Sequence, residues 1–352
     1  MHPFEMTRAL IDMESITENE KQVGEYLLHY LSGLVAGSDG KAEAMTVTPE
    51  RFNVYAEWGE PVVVLSTHMD TVPPFFASSE DDDYIYGRGS CDAKGIIAAM
   101  IAAAEKLIES GTRNFGLLFV VGEERNSAGA EVASRSPRGA RYLINGEPTE
   151  SKVALGSKGI LRCELIATGK MAHSAYPELG ESAIEKLLDA LEIVRRMPLP
   201  EDPVLGKTTL NIGTISGGRA PNIIPDAAKA ELAIRLVSDG RAIGQALRAA
   251  VEGRAEVKEV LSLPAMRFAA PNGFPTSVVA FTTDIPVLVP AWGEPFLFGP
   301  GSIHVAHTTQ EKISKRELLE AVDAYVRMTR ILLSRGQVGA GSTWSPPERS
   351  HA

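Results

Sequence analysis

Four stretches of the chain place acids or a histidine directly after apolar runs or at the mouth of a helix: "PVVVLSTHMD" (61–70), "SCDAKG" (90–95), "NFGLLFVVGEE" (114–124) and "RYLINGEPT" (141–149). Each apolar run reads as a buried strand, and each strand ends on groups that are costly to bury. His68 and Asp70 follow the first strand, Glu123 and Glu124 the second, Glu147 the third, and Asp92 opens a helix. In an open α/β sheet the carboxyl ends of the strands form one rim, where loops converge on a ligand. One histidine and several carboxylates on that rim make an anionic cluster that a strong cation would stabilise. Mixed histidine and carboxylate ligands suit zinc, with cobalt and manganese as further candidates. A carboxylate bridging two such ions would hold them about 3.5 to 4 Å apart, the separation used in two-metal hydrolysis.

The surrounding pattern supplies the elements that must position these residues. Thr17 and Glu20 are spaced as a capping box before the amphipathic "EKQVGEYLLHYL", "RFNVYAEW" reads as a strand, and "DAKGIIAAMIAAAEKLIES" as a mostly buried helix. Strands alternating with helices predict an α/β domain with a mostly parallel sheet. From about Gly159 the order becomes β-α-β-β-α-β, which predicts an inserted ferredoxin-like α+β domain at 159–265. The α/β domain is then discontinuous, 1–158 and 266–335. It resumes with the apolar runs "SVVAFTT" and "IPVLVPAW" and closes on a long helix with a capping box at Ser314 and Glu317. The Gly, Ser and Pro-rich 336–352 reads as a loose tail.

Composition narrows the classes of function. A length of 352 residues suggests two domains, and 44% hydrophobic with 23% charged residues is ordinary globular usage. The net charge of −10, with no basic run, argues against nucleic acid as a partner. Neither a signal-type apolar region nor a stretch of about 18 apolar residues is present, which argues against a membrane. Two cysteines, Cys91 and Cys163, exclude a disulfide framework and suggest a reducing, cytoplasmic setting.

In order, "THMDTVPP", "YGRGSCDAKG", "GEE", "GEPT" and "GPGSIHVAHTTQE" resemble the motifs of the M20 metallopeptidases and deacylases, notably the acetylornithine deacetylase and succinyl-diaminopimelate desuccinylase group. The resemblance runs from about residue 5 to 335. It implies a zinc-peptidase-like catalytic domain whose insert is a lid and dimerisation domain. It further implies two divalent ions, with His68 and Glu147 on one, Glu124 and His307 on the other, and Asp92 bridging. Glu123 would be the general base, Asp70 would hydrogen-bond the far nitrogen of His68, and the Asp92–Ala93 peptide would be cis. From the insert, His173 of "MAHSAYP" would stabilise the oxyanion, in dimers from the partner subunit. Asn222 and Arg235 would hold a substrate carboxylate, and Gly299 and Gly301 would allow close backbone approach beside the second ion. The implied reaction is removal of an acyl group from an N-acyl amino acid by metal-activated water, with dipeptide or C-terminal peptide cleavage as the alternative. Homodimers are implied through the insert.

Each residue also has a plainer reading. A lone histidine after a strand is ordinarily packed or at the surface, "GEE" could be a solvated strand end, and Glu147 before Pro148 could merely open a turn. The repetition of acids at successive strand ends favours ligation. His304 and His307 are three apart and either could face a metal; the motif favours His307. Cys91 reads as a packed thiol rather than a nucleophile. No GxSxG elbow, HExxH helix or phosphate loop competes. A catalytically idle metal-binding protein on the same fold remains the reading from another class, and an intact Glu123 argues against it.

Overall fold

The computed structural model describes residues 1–337; the segment 338–352, which holds nearly all of the expected loose tail, lies outside the described residues. Contacts divide the chain into two units: Met1–Leu155 with Phe268–Ser277 and Thr283 onward, and Gly156–Arg267 with Val278–Thr282.

In the larger unit the sheet runs Gly40–Thr48, Arg51–Trp58, Phe115–Val120, Val63–His68, Tyr142–Asn145, Glu294–Leu297, Val153–Ser157. The four strands from Phe115–Val120 to Glu294–Leu297 are mutually parallel, and antiparallel partners flank them. Both central strands are buried at every residue because apolar cores cover both faces. Val63, Leu65, Phe115, Leu117 and Phe119 pack with Ile96, Met100 and Tyr325 on one face. Val64, Leu118 and Val120 pack with Ala130, Leu288 and Trp292 on the other. Period-two alternation thus sends successive residues into separate cores, and each such Leu or Phe contributes about 1.5–3 kcal/mol by leaving water. The Ala-rich helix Lys94–Glu109 is almost wholly buried. Among the described residues no helix is long and apolar enough to cross a membrane.

The smaller unit is a four-stranded antiparallel sheet in the order Thr209–Gly217, Ala227–Leu236, Gly159–Thr168, Glu256–Leu263. Helices Ala183–Arg196 and Arg241–Ala250 complete the β-α-β-β-α-β succession. Leu161, Cys163, Leu165 and Ala167 face Leu187, Leu191, Ile243 and Leu247 in its core.

Two local expectations are corrected. The Thr17–Glu20 pair is not a capping box: helix Lys21–Ala36 has no side-chain cap, because Thr17 donates to Asp70 (2.8 Å) and Glu20 takes the buried Arg51 fork at 2.6 and 2.8 Å. At Ser314 half the box forms. Its hydroxyl accepts the Glu317 amide at 3.4 Å, but the Glu317 carboxylate turns to the Gly301 amide at 3.3 Å. "IPVLVPAW", too short and uniformly apolar for periodicity to decide, is the helix Ile285–Trp292 with a proline in its first turn.

Candidate metal centre

His68 ends the strand Val63–His68, and Glu123 and Glu124 lie just beyond Phe115–Val120. Glu147 stands two residues beyond Tyr142–Asn145, so three parallel neighbours deliver these groups to one rim. Asp92 enters from the turn before Lys94–Glu109, through a cis Asp92–Ala93 peptide. Its two oxygens face different histidines: Oδ1 lies 3.0 Å from His68 Nε2 and Oδ2 3.3 Å from His307 Nε2. His68 Nε2 is also 3.9 Å from Glu147 Oε2, and His307 Nε2 is 3.0 Å from Glu124 Oε1. The five side chains therefore sort into a His68–Glu147 pair and a His307–Glu124 pair with Asp92 between them.

This arrangement fits cations. Ligand atoms of His68, Asp92 and Glu124 lie within 4.8 Å of one another, and the buried Glu147 Oε1 has no hydrogen-bond partner among the described residues. Buried acceptors are almost always satisfied, so such an atom marks a place for a positive partner. His307 adopts a left-handed backbone, φ 62°, a conformation a non-glycine residue rarely holds outside turns and functional sites. His304 is exposed, with its amide bonded to Ser302 Oγ at 3.4 Å.

The supporting loops are tied by named bonds. Asp70 departs from expectation: His68 Nδ1 lies 2.9 Å from the Asp70 main-chain carbonyl, with the Asp70 carboxylate at 3.6 Å. That carboxylate instead accepts the amides of Gly122, Glu123 and Glu124 at 2.9, 3.1 and 3.2 Å, fixing the loop that presents the acid pair. The 299–301 loop is laced to the Glu147 loop through Thr149, whose Oγ1 accepts the Gly299 amide at 2.9 Å. A Cβ on Gly299 would lie 2.5 Å from the Glu147 carbonyl, and one on Gly301 2.7 Å from Cys91 Sγ, so these glycines permit that approach. Cys91 is buried, and burial pushes its thiol up, away from nucleophilic character.

Proton affinities follow from this crowding. Burial, then the charge of Glu147, raises the Glu123 carboxyl well above its ordinary range; burial, then Asp92, does the same for Glu147. Burial raises Glu124 as well. Burial opposes a charged His68, but Asp70, Asp92 and Glu147 outweigh it and raise its pKa. Hydrogen bonds with Asp92 and Glu124 raise His307 to about 10. Asp284, which sequence reasoning had passed over, is buried and pushed up to about 7 by that burial.

Raised carboxyl values mean that the folded, metal-free protein binds more protons than the unfolded chain above about pH 4.5, so its stability falls as pH rises toward 7. The raised histidines begin to lose their contribution only above about pH 6.5, in the same direction, and the lowered Asp70 and Asp92 lose theirs only below this window. Chelator-treated protein should therefore lose about 5 °C or more in Tm between pH 5 and pH 7. A melting point that climbs over that range would contradict the cluster's electrostatics.

The insert's residues fall into two groups. His173 lies in the short strand Ala172–His173, paired with Ile223–Ile224, and the Asn222 carbonyl accepts the Ser174 amide at 3.1 Å. His173 Nδ1 accepts the Ala175 amide at 3.1 Å, which leaves its exposed Nε2 as the proton-bearing nitrogen. Arg235 is elsewhere: it stands eight residues beyond Ala227 on Ala227–Leu236, about 26 Å along the strand. Its Nη1 lies 3.4 Å from Thr282 Oγ1, the last residue before the chain re-enters the larger unit, and among the described residues no carboxylate pairs with it.

A parallel-centred α/β sheet whose strand ends converge on a cation-ready cluster of acids and histidines defines a metal-dependent hydrolase class. Residues 64–330 match the model of peptidase family M20/M25/M40. The chain is 36% identical over 373 residues to a probable carboxypeptidase of Aspergillus oryzae, covering 93% of this chain and 87% of the relative. It belongs to peptidase family M20/M25/M40, hydrolases that act on amide bonds. Among solved structures, a tripeptidase of Staphylococcus aureus superposes with a TM-score of 0.80 at 23% identity, covering 94% of this chain and 98% of that one. A Bacillus subtilis M20 peptidase described as binding a dinuclear metal superposes with a TM-score of 0.70 at 16% identity, covering 94% and 98%.

Proposed function

We propose that this protein hydrolyses the amide bond that joins an acyl or peptidyl group to an amino acid with a free carboxylate. One observation carries the reading: a buried Asp92 whose two oxygens face His68 and His307 separately, beside a Glu147 oxygen that has no hydrogen-bond partner among the described residues. His68 and Glu147 would hold one divalent ion, His307 and Glu124 the other, and Asp92 both; zinc suits this donor set, as do cobalt and manganese. When bound, such ions supply positive charge that polarises an amide carbonyl and acidifies water. Glu123, an acid beside the pairs that takes part in neither, removes the proton of the attacking water and returns it to the leaving amine nitrogen. Asp70 holds Glu123 in place through the amides of its loop.

Arg235, half-buried and free of any acid partner among the described residues, is the group we assign to the substrate carboxylate. His173 and Asn222 lie toward the Ala227 end of that strand, and Arg235 stands toward its other end. This separation supports a homodimer in which the insert of one copy lends His173 and Asn222 to its partner, with His173 Nε2–H donating to the oxyanion.

The name of the Aspergillus oryzae relative favours a short peptide, cleaved at its C-terminal residue, as substrate. An acetylated or succinylated amino acid is the second reading, favoured by the likeness of the five motifs to the deacylase group. The deciding experiment assays short peptides, their C-terminal amides, and acetyl and succinyl amino acids with zinc, cobalt or manganese. Free-carboxylate substrates alone should turn over, and equal hydrolysis of the amides would reject the proposal. Arg235→Met should raise KM about 10- to 100-fold with kcat nearly kept, the loss of a charge-assisted hydrogen bond made before and during reaction.

A further inference from the structure

The sequence marked "TTQE" only as the flank of His307, and the structure gives its last residue a task of its own. Glu311 is buried, with both carboxylate oxygens engaged. Oε1 accepts the amides of Gly89 (2.9 Å), Cys91 (3.2 Å) and Asp92 (3.1 Å), and Oε2 accepts Arg88 Nη1 at 2.5 Å. Arg88 is itself anchored: its guanidinium lies 5.0 Å from the Phe76 ring centre, and its Nε donates to the Pro74 carbonyl at 3.2 Å. The Glu311 main chain is fixed too, since its carbonyl accepts the Gly87 amide at 3.2 Å and the next strand, Lys312–Ser314, pairs with Tyr84–Tyr86.

We propose that Glu311 is a positioning residue of the metal centre, setting the Asp92 carboxylate relative to His307 by gripping the backbone turn 89–92. This rests on the two-ion reading of the site and deepens it. The grip has two ends. The carboxylate fixes the amide of Asp92 itself, while four residues upstream on the same short segment His307 takes its left-handed backbone and approaches Asp92 Oδ2 at 3.3 Å. A buried ion pair serving stability alone would need only saturated lone pairs, from any donor. Here three of the four donors are amides of the turn that ends on Asp92, so a shift of Glu311 moves Asp92 against both histidines.

The test titrates cobalt(II) and zinc(II) into metal-free wild type, Glu311→Gln and Arg88→Lys, read by calorimetry and by the cobalt d–d absorption. Gln keeps the size but turns one acceptor into a donor, opposing either Arg88 or the amides. It should weaken at least one of the two ion affinities about 10- to 100-fold and alter the cobalt spectrum, as removal of groups that orient ligands does. Arg88→Lys keeps a cation on Glu311 without its fork and should give a smaller change in the same direction. Two ions bound with wild-type affinities and spectrum in Glu311→Gln would overturn the proposal, whatever happens to Tm, because a purely structural pair alters stability and not the ions. Should Glu311→Gln fail to fold, unchanged affinities in Arg88→Lys overturn it instead. A wild type that binds no ion removes the two-ion reading beneath it, an outcome distinct from wild-type behaviour of the variants.

Discussion

Glu123→Gln is expected to lower kcat about 100- to 10,000-fold while two ions per chain remain bound. The reasoning is one of division of labour. Glu124, next in sequence, points to His307 at 3.0 Å, whereas among the described residues Glu123 has no side-chain hydrogen bond to any of the five cluster members. Glutamine keeps the shape and the Asp70 grip on the loop amide, and removes only the capacity to carry a proton. Metal content by elemental analysis and kcat on the best substrate of the panel together decide. Near-normal turnover, or loss of the ions along with activity, would reject Glu123 as the proton carrier.

Asp92→Ala should abolish metal retention and activity together. Among the described residues Asp92 is the one side chain that lies within 3.3 Å of both histidines, so on the two-ion reading its loss would take a ligand from each ion at once. Removing a group that merely orients a ligand weakens metal binding about 10- to 100-fold, and removing a shared ligand should exceed 100-fold. Dialysed Asp92→Ala protein with less than one ion per chain is the expected result; two retained ions would show that Asp92 is not a bridge.

Much of this site was legible because strands advertise themselves. Apolar runs such as "VVVL" and "FGLLFVV" read as central strands, and a charged residue soon after such a run stands at the sheet's rim. That logic put His68, Glu123, Glu124 and Glu147 at strand ends, where the structure has them, and Asp92 at the mouth of a helix. It could not find Glu311 or Asp284, which sit in irregular segments where neither periodicity nor a preceding strand distinguishes a buried acid from a solvated one. It misjudged Thr17 for a related reason. A capping box is a local pattern, and the competing partner Asp70 lies 53 residues away, visible only once the segment Ser15–Thr17 pairs with Met69–Thr71. The resemblance implies an Asp70 carboxylate on His68, whereas the amides of the neighbouring loop claim it, because backbone donors are not written in side-chain identity.

The bond from the Asp92 amide to Glu311 joins residues 219 positions apart, and the inserted unit is threaded between them. On the ribosome, the half of the chain that carries His68, Asp92 and Glu147 emerges long before the segment that supplies His307 and Glu311. Until that segment docks, the acids lack both their second histidine and the grip that aligns them, so a nascent chain offers no finished pocket for stray ions. A chain still short of that segment has the His68–Glu147 pair of the cluster but not the His307–Glu124 pair.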